Sequence, residues 1–203
     1  MCRTSAPRPR RHAQAEQLAT MGPGTPYAIA ARFAHPDWPV IAFVGDGAFQ
    51  MSGMAEMITV KRYLDRLSGP APFVFCVFNN RDLNQVTWEQ RAIAGDPKFP
   101  GSQDIPDIPY AKYAELIGLK GIYCDKPKKI GKAWDEALSS DRPVVLEFKV
   151  DVEIAPIPPH IMKTQGKKAA KAAVRDPEGV GIAVKGARQK ITELAEHLPG
   201  RRP

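Results

Sequence analysis

Residues 40–47 read VIAFVGDG and residues 73–80 read FVFCVFNN. Each opens as a short continuous apolar run, the pattern of a strand buried on both faces of a parallel sheet. Each closes in turn chemistry: Gly45-Asp46-Gly47 after the first, Asn79-Asn80 after the second. Between them the spacing predicts a helix over Gly53–Leu67, with Met57, Val60, Leu64 and Leu67 on one face and Gly69-Pro70 as its stop. Strand, turn, helix, strand, turn is a βαβ unit. In such a unit both turns emerge at the carboxyl edge of the sheet, where α/β proteins bind their ligands.

The alternation continues outward from this unit. Thr25-Pro26 predicts a helix start, Thr as N-cap and Pro in the first helical position, leading into a helix over Tyr27–Ala34 that ends near His35-Pro36. Tyr110–Ile117 reads as helix, Gly118–Cys124 as a connection and strand, Pro127–Leu138 as helix and Pro143–Val150 as a closing strand. The pattern predicts no element between Asn80 and Tyr110, and no internal repeat. The fold class is α/β, a mainly parallel sheet flanked by helices. Residues 1–17 read as a disordered basic leader, 18–160 as the α/β domain and 161–203 as a basic C-terminal extension, joined by the stiff connector Ala155-Pro156-Ile157-Pro158-Pro159. Within the extension, Lys163–Lys171 and Gly186–His197 have helical potential but little apolar surface, so this tail is expected to dock elsewhere or stay mobile.

The net charge of +7 belongs to the ends. Residues 1–11 hold four arginines and no acid, residues 163–203 ten Lys/Arg against four Asp/Glu, and residues 12–162 fifteen bases against eighteen acids. The basic C-terminal stretch offers no aromatic residue to stack on bases, so a nucleic-acid partner is not expected. No apolar run approaches the roughly 20 residues of a membrane span, and the leader lacks the apolar core of a secretory signal. Membrane association has no support in the sequence, and a cytoplasmic location is expected. Cys2, Cys76 and Cys124 are widely spaced and form no metal or redox motif; Cys76, inside an apolar run, reads as a buried thiol.

The chemistry lies in the two turns. A helix leaving Gly47 would turn its unpaired N–H groups and positive dipole end toward a diphosphate, and the glycines would let the ligand approach the backbone. Asp46 offers a hard anionic oxygen and Asn80 a neutral one, a partial shell suited to Mg²⁺, which shares its remaining positions with phosphate and water.

This arrangement resembles the thiamine-diphosphate enzymes, whose motif begins GDG and closes about thirty residues later in NN; here thirty-one residues separate Gly47 from Asn79. Residues 18–26, LATMGPGTP, are similar to the family segment that holds the aminopyrimidine ring. The resemblance implies that Met21 props thiamine into its bent form and that the Ala19 carbonyl accepts from the 4′-amino group. It implies cofactor contacts at Gly45, Asp46, Gly47, Ala48, Phe49 and Asn80. It implies metal ligation by the Asp46 carboxylate, the Asn80 amide oxygen and the Asp82 backbone carbonyl. Residues 80–83 and 86–91, NRDL and VTWEQR, are similar to the loop after NN in acetolactate synthases and pyruvate oxidases. Residues 157–160 and 176–179, IPPH and DPEG, look most like the C-terminal region of pyruvate oxidases and quinone-linked pyruvate dehydrogenases.

The resemblance further implies a 2-oxo acid substrate such as pyruvate, with acetolactate synthesis as the nearby alternative. In this family a glutamate on a different domain activates the pyrimidine nitrogen. No residue here is assigned that role, and Glu16 lies in the wrong context. A flavin could enter only through a further domain. The chain is therefore expected to be a fragment, a separate subunit or a degenerate product. It would work as a homo-oligomer or with a chain carrying the pyrimidine-binding domain, and alone it should bind cofactor weakly and turn over little. Two other classes stay open: a non-catalytic cofactor-binding remnant, and a basic nucleic-acid- or membrane-binding protein.

Overall fold

The computed structural model describes residues 20–154 and 163–176, together with 179, 181, 184, 185 and 188. Four strands, β1 Val40–Gly45, β2 Phe73–Asn79, β3 Lys120–Cys124 and β4 Val144–Lys149, form one sheet in the order β1-β2-β4-β3. All neighbours pair in parallel. The mainly parallel sheet expected from the apolar runs is therefore present, and its carboxyl edge carries both turns.

Helices cover the two faces unequally. On one face lie α1 (Gly24–Ala34), α2 (residues 46–62) and α4 (Tyr110–Leu116). There Ala28, Ile29, Met57, Val60, Tyr110 and Ala114 pack on Ala42, Val44, Phe75, Val77 and Val145. On the other face, among the described residues, α5 (Ile130–Leu138) is packed, with Ala133 and Ala137 against Val74, Cys76, Ile122, Leu146 and Phe148. Each large apolar side chain so buried is worth about 1.5–3 kcal/mol of transfer free energy, so these two clusters set the fold.

Four local expectations are corrected. Helix α1 begins at Gly24 after Pro23, which makes no side-chain cap; Thr25 lies inside the first turn, buried, and Pro26 follows it. Proline is tolerated there because the N–H groups of a first turn have no helical partner anyway. The shift has a packing cause: a Cβ at Gly24 would stand 2.9 Å from Val44 Cγ1, so α1 sits directly on β1. Helix α2 starts at Asp46, not Gly53. It runs through Asp46–Ala48, a π-helical turn Phe49–Gly53 and Met54–Arg62, with a short turn Leu64–Leu67 beyond. Gly53 lies under the Phe49 ring, where no Cβ would fit, so the glycine that looked like a helix start is a packing device.

Helix α3, Asn84–Glu89 continuing as a π turn Gln90–Ala94, and a single turn Pro100–Gln103 occupy the stretch without predicted elements. Their apolar residues Val86, Ile93 and Phe99 are exposed, so no apolar face announces them. The basic extension folds as α6, Lys163–Arg175, and docks on the chain's own α3: Ala172 is fully buried and Lys168 Nζ donates to the Ile93 carbonyl at 2.7 Å. Residues 1–17 and the helical potential at 186–197 lie outside the described residues, apart from Arg188.

Candidate functional site

The site forms where β1 and β2 end side by side. Gly45 pairs with Phe78, so the two following turns meet at the same level of the sheet. Asp46, first residue of α2, is 2% exposed. Its Oδ1 accepts from the Gly47 N–H at 2.9 Å; its Oδ2 accepts from the N–H groups of Asn80 and Arg81 at 2.9 and 2.5 Å. One carboxylate thus ties the GDG turn to the NN turn. Arg81 takes φ +62°, a left-handed conformation that a non-glycine residue adopts at a cost, and it lets two successive N–H groups face Asp46.

Burial pushes the Asp46 carboxyl upward from its ordinary range, while the three N–H donors and the charge of Lys149 pull the other way. Asp46 makes no ion pair among the described residues. A desolvated carboxylate held mainly by amide dipoles, with no ion-pair partner among the described residues, is a place where a bound cation would relieve an electrostatic cost.

Asn80 turns back on its own loop, its Oδ1 accepting from the Asp82 N–H at 3.0 Å. An amide oxygen has a second lone pair, so this turn orients Asn80 without using up its acceptor capacity. The Asp82 side chain points away from Asp46 into the base of α3, where Thr87 Oγ1 lies 3.0 and 3.1 Å from its two oxygens and Lys98 Nζ lies 3.5 Å away. The Asp82 carboxylate is thereby engaged with α3 and Lys98. Among the described residues no group of three or more His, Cys, Asp or Glu forms a metal cluster. The donor set is one carboxylate, one amide and one carbonyl. That set fits Mg²⁺ shared with a diphosphate better than a cage of protein ligands.

Met21 is 43% exposed at the mouth of the site. A Cβ on Gly47 would meet Leu83 Cδ2 at 2.6 Å and Met21 Cε at 2.8 Å, so glycine lets the tips of these two apolar side chains converge over the start of α2. A Cβ on Gly45, in contrast, would meet nothing within 4 Å. The backbone is bare there, the condition for a phosphate to approach it closely. Phe49 is fully buried with its ring edge-on to Tyr110 at 5.4 Å, so of this residue only the main chain can serve a cofactor. Ala48 is half-buried beside it, and Ala19 lies outside the described residues.

Residues not anticipated complete the frame. Asn79, the first of the pair, is structural: its Nδ2 donates to Glu147 Oε1 at 2.7 Å and to Asp107 Oδ1 at 3.2 Å, while its Oδ1 accepts from Lys149 Nζ at 3.3 Å. Glu147 is 2% exposed and its Oε2 accepts from the Ala111 N–H at 3.0 Å, fixing the first turn of α4 to the sheet. The signal for Glu147 was a single acid inside the apolar run of β4. Two other hollows, an apolar one of 260 Å³ with Phe43, Phe78 and Trp134 in its wall and one of 400 Å³ beside Asp107 and Tyr123, are not lined by Asp46 or Asn80.

Comparison with known proteins agrees with this geometry. Residues 1–148 match the family model for the thiamine pyrophosphate enzyme, C-terminal TPP binding domain. A Bacillus subtilis protein named as thiamine pyrophosphate-containing, YdaP, is 34% identical over 159 residues, covering 78% of this chain and 26% of that protein. A Methanococcus aeolicus protein named as an acetolactate synthase large subunit is 35% identical over 147 residues, 70% of this chain and 22% of its own length. Among solved structures, a thiamine diphosphate-dependent 4-hydroxybenzoylformate decarboxylase of Rhodococcus jostii RHA1 superposes with a TM-score of 0.55 at 25% identity, covering 64% of this chain and 23% of that one. The chain spans about a quarter of the length of these relatives.

Proposed function

The chain belongs to the thiamine pyrophosphate enzymes, through their C-terminal TPP-binding domain, and from that premise we propose that it anchors thiamine diphosphate by way of Mg²⁺ for the conversion of a 2-oxo acid. The observation that carries this is Asp46: buried, tied by N–H groups to both turns, and without an ion pair among the described residues. In the proposed complex the Asp46 carboxylate, the Asn80 amide oxygen and the Asp82 carbonyl hold the cation, and the cation holds the diphosphate against the bare backbone at Gly45. When bound, the cofactor supplies the carbanion and electron sink that 2-oxo acid decarboxylation needs. The protein's share is placement. The start of α2 faces the phosphates, and Met21, resting over Gly47, props the bent cofactor from the apolar side.

The relatives named as acetolactate synthases favour carbon–carbon bond formation from a pyruvate-like acid over the pyruvate oxidation suggested by the short C-terminal likeness. The activating glutamate is proposed to come from a second chain. One feature supports this: β1 is an edge strand among the described residues, with Ile41 and Phe43 exposed. Parallel sheets are normally covered on both faces.

Calorimetric titration with thiamine diphosphate and Mg²⁺ tests the anchoring role. Metal-dependent binding that disappears in Asp46→Ala supports it. Metal-independent binding that survives the substitution would refute it.

A further inference from the structure

Two stretches picked out in the sequence for family likeness, around Arg91 and around Asp176, meet in the structure although 85 residues separate them. Asp176, just past the end of α6, is 7% exposed, and Arg91, in the π turn of α3, is 2% exposed. Arg91 donates through Nε and Nη2 to Asp176 Oδ2 at 2.8 and 2.6 Å. The same oxygen accepts from the backbone N–H of Lys98 at 3.0 Å. The guanidinium carbon of Arg91 also stands 5.0 Å from the centre of the Trp88 ring. A charged pair so buried, and bonded to main chain as well, is costly to break from one side.

The chain of contacts does not stop at Lys98. Its Nζ lies 2.6 Å from Asp104 Oδ1 and 3.5 Å from Asp82 Oδ1. Asp82 and Asp104 are opposed in an antiparallel bridge, in which Leu83 N–H donates to Gln103 O at 2.8 Å and Ile105 N–H to Arg81 O at 3.1 Å. That bridge flanks the segment whose Asn80 and Asp82 are proposed to hold the metal. Asp176 therefore fixes the backbone of Lys98, Lys98 clamps Asp82 to Asp104, and the clamp sets the ligand loop. A second tail contact, Lys185 Nζ to Asp151 and Glu153 at 2.7 and 2.5 Å, involves none of these groups.

We infer that Asp176, with Arg91, is a positioning residue of the metal-ligand loop, so that the C-terminal extension tunes Mg²⁺ affinity from outside the site. This rests on the proposed metal site, and two readouts separate its failure from that of the site.

The first readout is backbone hydrogen exchange at Leu83 and Ile105 in the whole chain without ligands. The second is Mg²⁺ affinity at saturating thiamine diphosphate. In Asp176→Ala the two amides should exchange about tenfold faster, while amides of β2 keep their protection. Mg²⁺ affinity should fall about tenfold, the low end of the cost of losing an outer partner of a metal ligand. Lys185→Ala should change neither. The double substitution Arg91→Met with Asp176→Leu, which removes both charges of this pair together, guards against simple misfolding and should show the same loss of metal affinity.

Unchanged exchange at Leu83 and Ile105 in a folded Asp176→Ala chain would overturn the inference, as would equal losses in Lys185→Ala. Faster exchange at these amides, in a chain whose wild type shows no metal-dependent binding, would instead overturn the metal site and leave the link between tail and loop standing.

Discussion

Asp46 carries two opposing demands: burial raises its proton affinity, and the proposed metal needs it ionised. A carboxyl whose folded pKa is raised favours the fold below its unfolded pKa, and this contribution is lost as pH rises through the folded value. The metal-free protein should therefore lose some stability as pH climbs just above the ordinary carboxylate value of 3.8, whereas Mg²⁺ with thiamine diphosphate should protect it increasingly over the same range. Melting curves across pH 4–7, with and without both ligands, check this; protection by the ligands that is constant down to pH 4 would count against Asp46 as a ligand. Gly47 makes a second residue-scale case. Gly47→Ala brings its Cβ against the movable tips of Leu83 and Met21, which can swing aside, so it should cost less than about 1 kcal/mol by urea denaturation while displacing Met21 from over α2. Asp46 and Asn80 were legible because turn residues between apolar runs are few and chemically distinct. The structural role of Asn79 was not, because its partner Glu147 lies 68 residues away. Cys76 behaves as its apolar neighbours suggested: fully buried, with its thiol pushed up to about 12, it should resist alkylation in the native protein.

Strands were easier to read than helix boundaries. β1, β2 and β4 stand within a residue of the expected bounds because an apolar run between turn signals has few other uses. Helix starts were misplaced at Thr25 and Gly53 for a common reason: both positions obey tertiary packing, Gly24 against Val44 and Gly53 against Phe49. Helix α3 was invisible because hydrogen bonds and buried ion pairs hold it in place of an apolar stripe. At this scale the Asn79–Glu147–Ala111 connection joins β2, β4 and α4. Asn79→Ala should cost about 2–3 kcal/mol, because it strips a donor from a buried carboxylate. Equilibrium unfolding will show the loss, and a change below 0.5 kcal/mol would mean that Lys149 and Ala111 suffice.

At the scale of the whole molecule, the chain spans about a quarter of the length of its relatives, and its association with a glutamate-bearing chain is the proposal to test. Phe43 is 62% exposed on β1 but its ring lies against Phe78 and Trp134, so Phe43→Lys should cost the lone chain about 1 kcal/mol and leave it folded. The same substitution should weaken association with the proposed glutamate-bearing chain, which light scattering of the mixed chains would reveal. Membership of the family was legible in GDG and NN. The docking of the tail on α3 was not, since its charge and scant apolar surface gave no sign of a site within the same chain, while its contacts there are a buried Ala172, the Lys168–Ile93 hydrogen bond and the Arg91–Asp176 pair. The central claim is that Asp46 and the Asn80–Asp82 loop hold the cation that holds the diphosphate. A crystal structure with thiamine diphosphate and Mn²⁺, using the anomalous signal of manganese, tests it most directly. The account predicts one anomalous peak ligated by the Asp46 carboxylate, the Asn80 amide oxygen and the Asp82 carbonyl. Bound cofactor with no metal at Asp46, or a metal ligated elsewhere, would contradict it.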